Sequence, residues 1–109
     1  MDFSVKSKFN ENENQWDVRV LGEIDVFNSE EFKKTLMSLI EEKKINISLE
    51  CEELTYIDST GLGSMVGVLK NVRQYDGDII IKNLKPSLLK LFKITSLDRA
   101  FKIEVSDNE

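Results

Sequence analysis

The residues best placed to do chemistry lie in one run, Asp58-Ser59-Thr60-Gly61-Leu62-Gly63, where a strand ending in Tyr56-Ile57 gives way to a helix. A carboxylate and two adjacent hydroxyls stand at the helix mouth, short enough to accept hydrogen bonds from the free amides of a first turn. The positive end of a helix also favours an added anion. The pattern therefore points to phosphorylation of the Ser59 hydroxyl, with this chain as the substrate. The plainer role for Ser59 is helix capping, but Asp58 and Thr60 can supply the cap without it. Gly61, Gly63 and Gly67 each lower helix propensity by about 1 kcal/mol relative to alanine. Close packing on the sheet, a strong explanation for Gly67, or close approach of a partner must offset that cost.

A second acidic position, Asp25 in Gly22-Glu23-Ile24-Asp25, precedes the first helix, with Gly22 permitting a sharp exit from its strand. Right-handed crossovers bring Asp25 beside the Asp58-Ser59 corner. Acid–base chemistry there lacks a group that would activate the serine. A Mg²⁺ site needs more oxygens than two carboxylates offer. Loop carboxylates that meet a basic partner surface fit the pattern better. The chain has no G-x-x-x-x-G-K-[ST] loop and no G-x-G-x-x-G after a strand, so ATP used on Ser59 is bound by another protein.

Composition narrows the classes further. The chain has 109 residues and no histidine, which removes Ser-His-Asp and Cys-His catalysis, histidine-based metal sites and phosphohistidine transfer. A net charge of −5 argues against nucleic acid, and the lysines at 82, 85, 90 and 93 read as solvated faces. The single cysteine, Cys51, excludes an internal disulfide and suits a reducing compartment. With no apolar run of signal or membrane-span length, the expected location is the cytoplasm. Size and dispersed charge suit a monomer.

Hydropathy periodicity places the elements around these residues. Phe3 to Phe9 alternates as a strand, Asn10 to Asn14 turns, and Trp16, Val18 and Val20 alternate in a second strand closing at Gly22, giving an antiparallel hairpin. Asn28 caps the first helix with Glu31 completing a capping box, and Phe32, Leu36, Leu39 and Ile40 form its inner face. Ile45, Ile47 and Leu49 make a third strand, interrupted from Glu50 to Glu53. The second helix runs from Ser59 towards Tyr75 with Leu62, Met65, Val66 and Leu69 inward. Ile79 to Ile81 is a buried strand after the Asp76-Gly77-Asp78 turn. Pro86 opens a third helix packed through Leu88, Leu89, Leu91 and Phe92. Thr95 or Ser96 caps a last short turn, and Phe101, Ile103 and Val105 form a terminal strand with a frayed polar tail beyond. The order expected is β-β-α-β-α-β-α-short helix-β, a single α/β domain over 1–109 with an ordered core of about residues 3–105.

Gly22-Glu23-Ile24-Asp25-Val26, Tyr56-Ile57-Asp58-Ser59-Thr60-Gly61-Leu62-Gly63 and Leu91-Phe92-Lys93-Ile94-Thr95-Ser96-Leu97 together resemble the anti-sigma-factor antagonists of the STAS-domain family, general-stress branch of Gram-positive bacteria. The resemblance spans nearly the whole chain, departing where Asp76-Gly77-Asp78 replaces the paired glycines of many members. It implies a mixed, mainly parallel sheet with an N-terminal hairpin and helices packed on one face. It further implies a non-enzymatic partner switch without a cofactor. The unphosphorylated form binds an anti-sigma factor that is also a serine kinase, and the sigma factor is released. Phosphorylation at Ser59 ends this binding, and a PP2C-type phosphatase reverses it. Asp25, Asp58, Thr60, Gly61, Leu62 and Gly63 match partner-binding positions, Thr60 being also a possible second phosphorylation site. Two other classes compete: a STAS module serving a transporter or sensory assembly, and a phosphoaspartate receiver using Asp58. The receiver reading lacks the acidic pair expected after a first strand.

Overall fold

The computed structural model describes residues 2–104. In chain order the elements are β1 (Phe3–Asn10), β2 (Gln15–Ile24), α1 (Ser29–Glu42), β3 (Asn46–Glu50), β4 (Leu54–Ile57), α2 (Ser59–Arg73), β5 (Ile79–Lys82), α3 (Pro86–Ile94), a single 3-10 turn (Leu97–Arg99) and β6 (Lys102–Glu104). The predicted Val105 end of the last strand and the tail after it lie outside the described residues.

The strands form one six-stranded sheet in the order β1-β2-β3-β5-β6, with β4 paired to β2 off that path. β1 and β2 are the expected antiparallel hairpin, and the remaining pairings are parallel. The expected element order omits β4. The interruption at Glu50–Glu53 is a step along β2. β3 pairs with its first half, from Gln15↔Asn46 to Arg19↔Glu50. β4 pairs with its second half, from Gly22↔Leu54 to Ile24↔Ile57. β2 accordingly continues to Ile24 and does not close at Gly22. A register shift falls between Gly22 and Glu23. Gly22 sits there at a φ of +94°, and a Cβ on it would lie 2.4 Å from the Asp2 carbonyl oxygen. Only glycine fits both restrictions.

One face of the sheet carries the core. Trp16, Val18, Val20, Ile47, Leu49, Ile79 and Ile81 are buried in one cluster with Phe32, Leu36 and Ile40 of α1, the inner residues of α2, and Leu88 and Phe92 of α3. The opposite face presents Lys6, Lys8, Arg19, Glu50 and Lys82, exposed or half-buried. The helices thus cover one face, as the alternation in β2 requires. α2 is rotated slightly from the expected stripe. Val68 and Val72 are fully buried, whereas Val66 lies at the margin.

Two predicted caps take other forms. Asn28 occupies the N-cap position of α1 but makes no side-chain cap. Its Oδ1 instead accepts from the Asp25 amide at 2.9 Å and its Nδ2 donates to the Glu23 carbonyl at 2.9 Å. The short loop turns the backbone inward, and a buried amide side chain satisfies groups that water does not reach. Thr95 donates back to the Leu91 and Phe92 carbonyls, and Ser96 adopts a left-handed φ of +62° without a side-chain cap. At the Asp76-Gly77-Asp78 turn, Asp76 takes the left-handed conformation, with φ +63°, one that short polar residues tolerate.

Cys51 is 1% exposed. Burial, and secondarily the Glu50 carboxylate, pushes its thiol from 9.0 up to about 12. A raised thiol pKa stabilises the fold below pH 9, and that contribution fades as pH climbs from 9 towards 12. A thiol reagent at pH 8 is expected to leave Cys51 unlabelled in the native protein and to modify it fully in 6 M guanidinium. Gly22→Ala is expected to cost roughly 1–3 kcal/mol of stability. Gly63→Ala, where a Cβ meets nothing within 4 Å, is expected to be neutral or stabilising, both read from urea midpoints.

Candidate functional site

The pairing of Ile24 with Ile57 in adjacent parallel strands sends Asp25 and Asp58 off the sheet at the same end. The two acidic positions are therefore neighbours, as right-handed crossovers predict. Asp58 is extended, at φ −101° and ψ −176°, and is the N-cap of α2. Its Oδ1 accepts from the Gly61 amide at 2.9 Å, and its carbonyl accepts from Leu62 at 2.9 Å. Its Oδ2 accepts from the Val26 amide at 3.1 Å, and its own amide donates to the Ile24 carbonyl at 3.2 Å. One carboxylate thus closes a helix with one oxygen and fastens the β2–α1 loop with the other.

Asp25 organises that loop from within. Its Oδ1 accepts from the Phe27 amide at 2.9 Å and the Asn28 amide at 3.3 Å, and its carbonyl accepts from Ser29 at 2.9 Å. Both carboxylates act as acceptors for backbone amides. Among the described residues no group of three His, Cys, Asp or Glu could hold a metal.

Ser59 is the first residue of α2 and is exposed, as is Thr60. Neither hydroxyl has a hydrogen-bond partner among the described residues, so the cap is made by Asp58 alone. The amides of Ser59 and Thr60 likewise have no acceptor among the described residues. The turn that carries the Ser59 hydroxyl therefore also carries two N–H groups without an acceptor among the described residues, at the positive end of the helix.

The glycines of the motif divide by position. A Cβ at Gly61 would lie 2.7 Å from Ile57 Cγ1 and 2.9 Å from Ile24 Cγ2, so this glycine lets the first turn of α2 rest on β2 and β4. Leu62 is 5% exposed and belongs to the core. Gly63 is exposed with open space beside it. Gly67 meets the Lys33 side chain of α1, with a Cβ 3.0 Å from Nζ. Its close neighbour is a helix and not the sheet.

Sequence reasoning passed over Val26 and Phe27, which are 60% and 88% exposed on the loop that Asp58 holds. A signal was present: two consecutive large apolar residues inside a polar connection between Asp25 and Asn28.

The chain belongs to the STAS family, whose domain matches residues 6–109. It is similar to the anti-sigma-B factor antagonist of Bacillus subtilis (strain 168), with 37% identity over 97 residues that cover 89% of this chain and 86% of that protein. The anti-sigma-B factor antagonist of Listeria monocytogenes is 33% identical over 93 residues, covering 85% and 82%. Among solved structures, the Bacillus cell fate determinant SpoIIAA in its phosphorylated form shares the fold with a TM-score of 0.73. That likeness holds at 21% identity, over 94% of this chain and 91% of SpoIIAA.

Asp58→Ala removes the cap and the tie to Val26 together. It is expected to cost about 1–3 kcal/mol, whereas Ser59→Ala stays within about 0.5 kcal/mol. Chemical denaturation of the two variants beside the parent separates the residue that builds the corner from the residue displayed on it.

Proposed function

We propose that this chain is an anti-sigma factor antagonist controlled by phosphorylation of Ser59. The unphosphorylated domain binds a cytoplasmic anti-sigma factor that is also a serine kinase, and the sigma factor is thereby freed to join RNA polymerase. The kinase transfers phosphate from its own ATP to Ser59, which ends the association, and a PP2C-type phosphatase restores the hydroxyl. The domain itself catalyses nothing and works without a cofactor. Asp25, Thr60 and Gly63 meet the partner around Ser59. Asp58, Gly61 and Leu62 support that surface from beneath, and Thr60 is a secondary acceptor.

The observation that carries this reading is the division of labour between adjacent residues. Asp58 makes every side-chain bond that closes α2, while the exposed Ser59 hydroxyl makes none among the described residues. A phosphate adds about −1.5 to −2 charges. Two vacant amides and the helix end accommodate that charge, so the fold withstands it. A partner surface shaped to a neutral hydroxyl does not. Like-charge contact and desolvation cost several kcal/mol there, and about 2.8 kcal/mol already weakens binding a hundredfold. The similarity to anti-sigma-B factor antagonists over most of the chain supports the same reading.

Ser59→Asp is expected to weaken binding to the anti-sigma factor at least tenfold in the presence of ADP, with far-ultraviolet circular dichroism unchanged. Ser59→Ala binds with parental affinity and takes up no label from ATP at position 59. Undiminished binding by Ser59→Asp, or a phosphopeptide mapped elsewhere, would overturn the assignment.

A further inference from the structure

Phe27 is the most exposed large apolar side chain among the described residues, at 88%, and its neighbour Val26 is 60% exposed. An exposed phenylalanine at a frayed end needs no explanation, but this loop is held firmly. The Asp25 amide donates to Asn28 Oδ1, the Val26 amide to Asp58 Oδ2 and the Phe27 amide to Asp25 Oδ1. The Asn28 and Ser29 amides then donate to the Asp25 carbonyl. Five consecutive N–H groups are satisfied while the two side chains between them stay in water. The backbone order around Phe27 is not repaid by burying its ring within the domain. Presentation to another molecule accounts for both facts.

We infer that Phe27, flanked by Val26, is the apolar anchor by which the domain docks on its anti-sigma factor, inserting into a socket beside the site that receives Ser59. The inference rests on the proposed function and names the surface through which it works. Continuity fixes the occupant: the amide of Val26 is bonded to the same carboxylate that caps the Ser59 helix. A partner covering Ser59 therefore reaches this loop in the same footprint. Aromatic anchors at the centre of such footprints dominate binding, because their rings remove much area from water at little entropic cost. The surrounding residues Asp25, Glu30 and Glu31 are acidic, so the socket is apolar with basic groups at its margin. Ile94, 71% exposed at the end of α3, belongs to a different element and lacks any such tie to Asp58.

The test is titration of the full chain against the anti-sigma factor with ADP, using Phe27→Ser, Phe27→Leu and, as a control, Ile94→Ser. Phe27→Ser is expected to lose at least tenfold in affinity, Phe27→Leu less, and Ile94→Ser nothing, with the urea midpoints of all three unchanged. Parental affinity in Phe27→Ser, with Ser59→Asp still weakened, overturns the anchor and leaves the antagonist reading intact. An equal loss in Ile94→Ser also overturns it, since the effect then belongs to surface hydrophobicity in general. If the unaltered chain binds no anti-sigma factor, the functional reading fails and the anchor fails with it.

Discussion

Two oxygens of one side chain hold the working end of this domain together. Asp58 bonds the first turn of α2 through Oδ1 and the β2–α1 loop through Oδ2, so the helix start and the loop cannot shift independently. Everything displayed at that corner takes its position from this bridge. The bridge in turn depends on the parallel pairing of β4 with the end of β2, which brings Ile24 and Ile57 alongside each other. Gly61 completes the geometry by allowing α2 to descend onto both isoleucines. A carboxylate is the right group for this task, because it accepts from two directions and carries a charge that the helix end favours.

The corner separates the side chain that closes the helix from the hydroxyl exposed beside it. Capping residues at exposed helix starts are commonly hydroxyls, and esterifying a hydroxyl used in that way would alter the bond that closes its helix. Here the capping bond belongs to a carboxylate, and the adjacent hydroxyl is spare. A charge can be placed on Ser59 without removing any hydrogen bond that the described residues make through it. The core beneath α2, through Leu62, Met65, Val68, Leu69 and Val72, lies on the helix's buried side, whereas Ser59 is exposed.

Much of this architecture was legible from residue spacing, and the exceptions have physical reasons. The hairpin, three helices, Pro86 at a helix start and the nearness of Asp25 to Asp58 follow from period, capping and crossover handedness. β4 was not separated from β3 because Leu54-Thr55-Tyr56-Ile57 is four residues long, with the two middle ones exposed. Its place beside β2 is a matter of register that only the bulge after Gly22 reveals. Asn28 looked like a cap because cap residues and loop staples share the same chemistry. What differs is burial, which spacing does not report. At the site, the polar residues were visible from type alone. The apolar pair Val26 and Phe27 was overlooked because apolar residues near a helix start usually turn inward.

The bridge also joins two stretches of chain that lie 32 positions apart. A linear segment around Ser59 or a denatured molecule carries the serine but not the corner. Any enzyme that recognises the corner by shape is therefore blind to unfolded or damaged copies. The pool it counts consists of correctly folded molecules only, which makes conformational integrity itself part of the message.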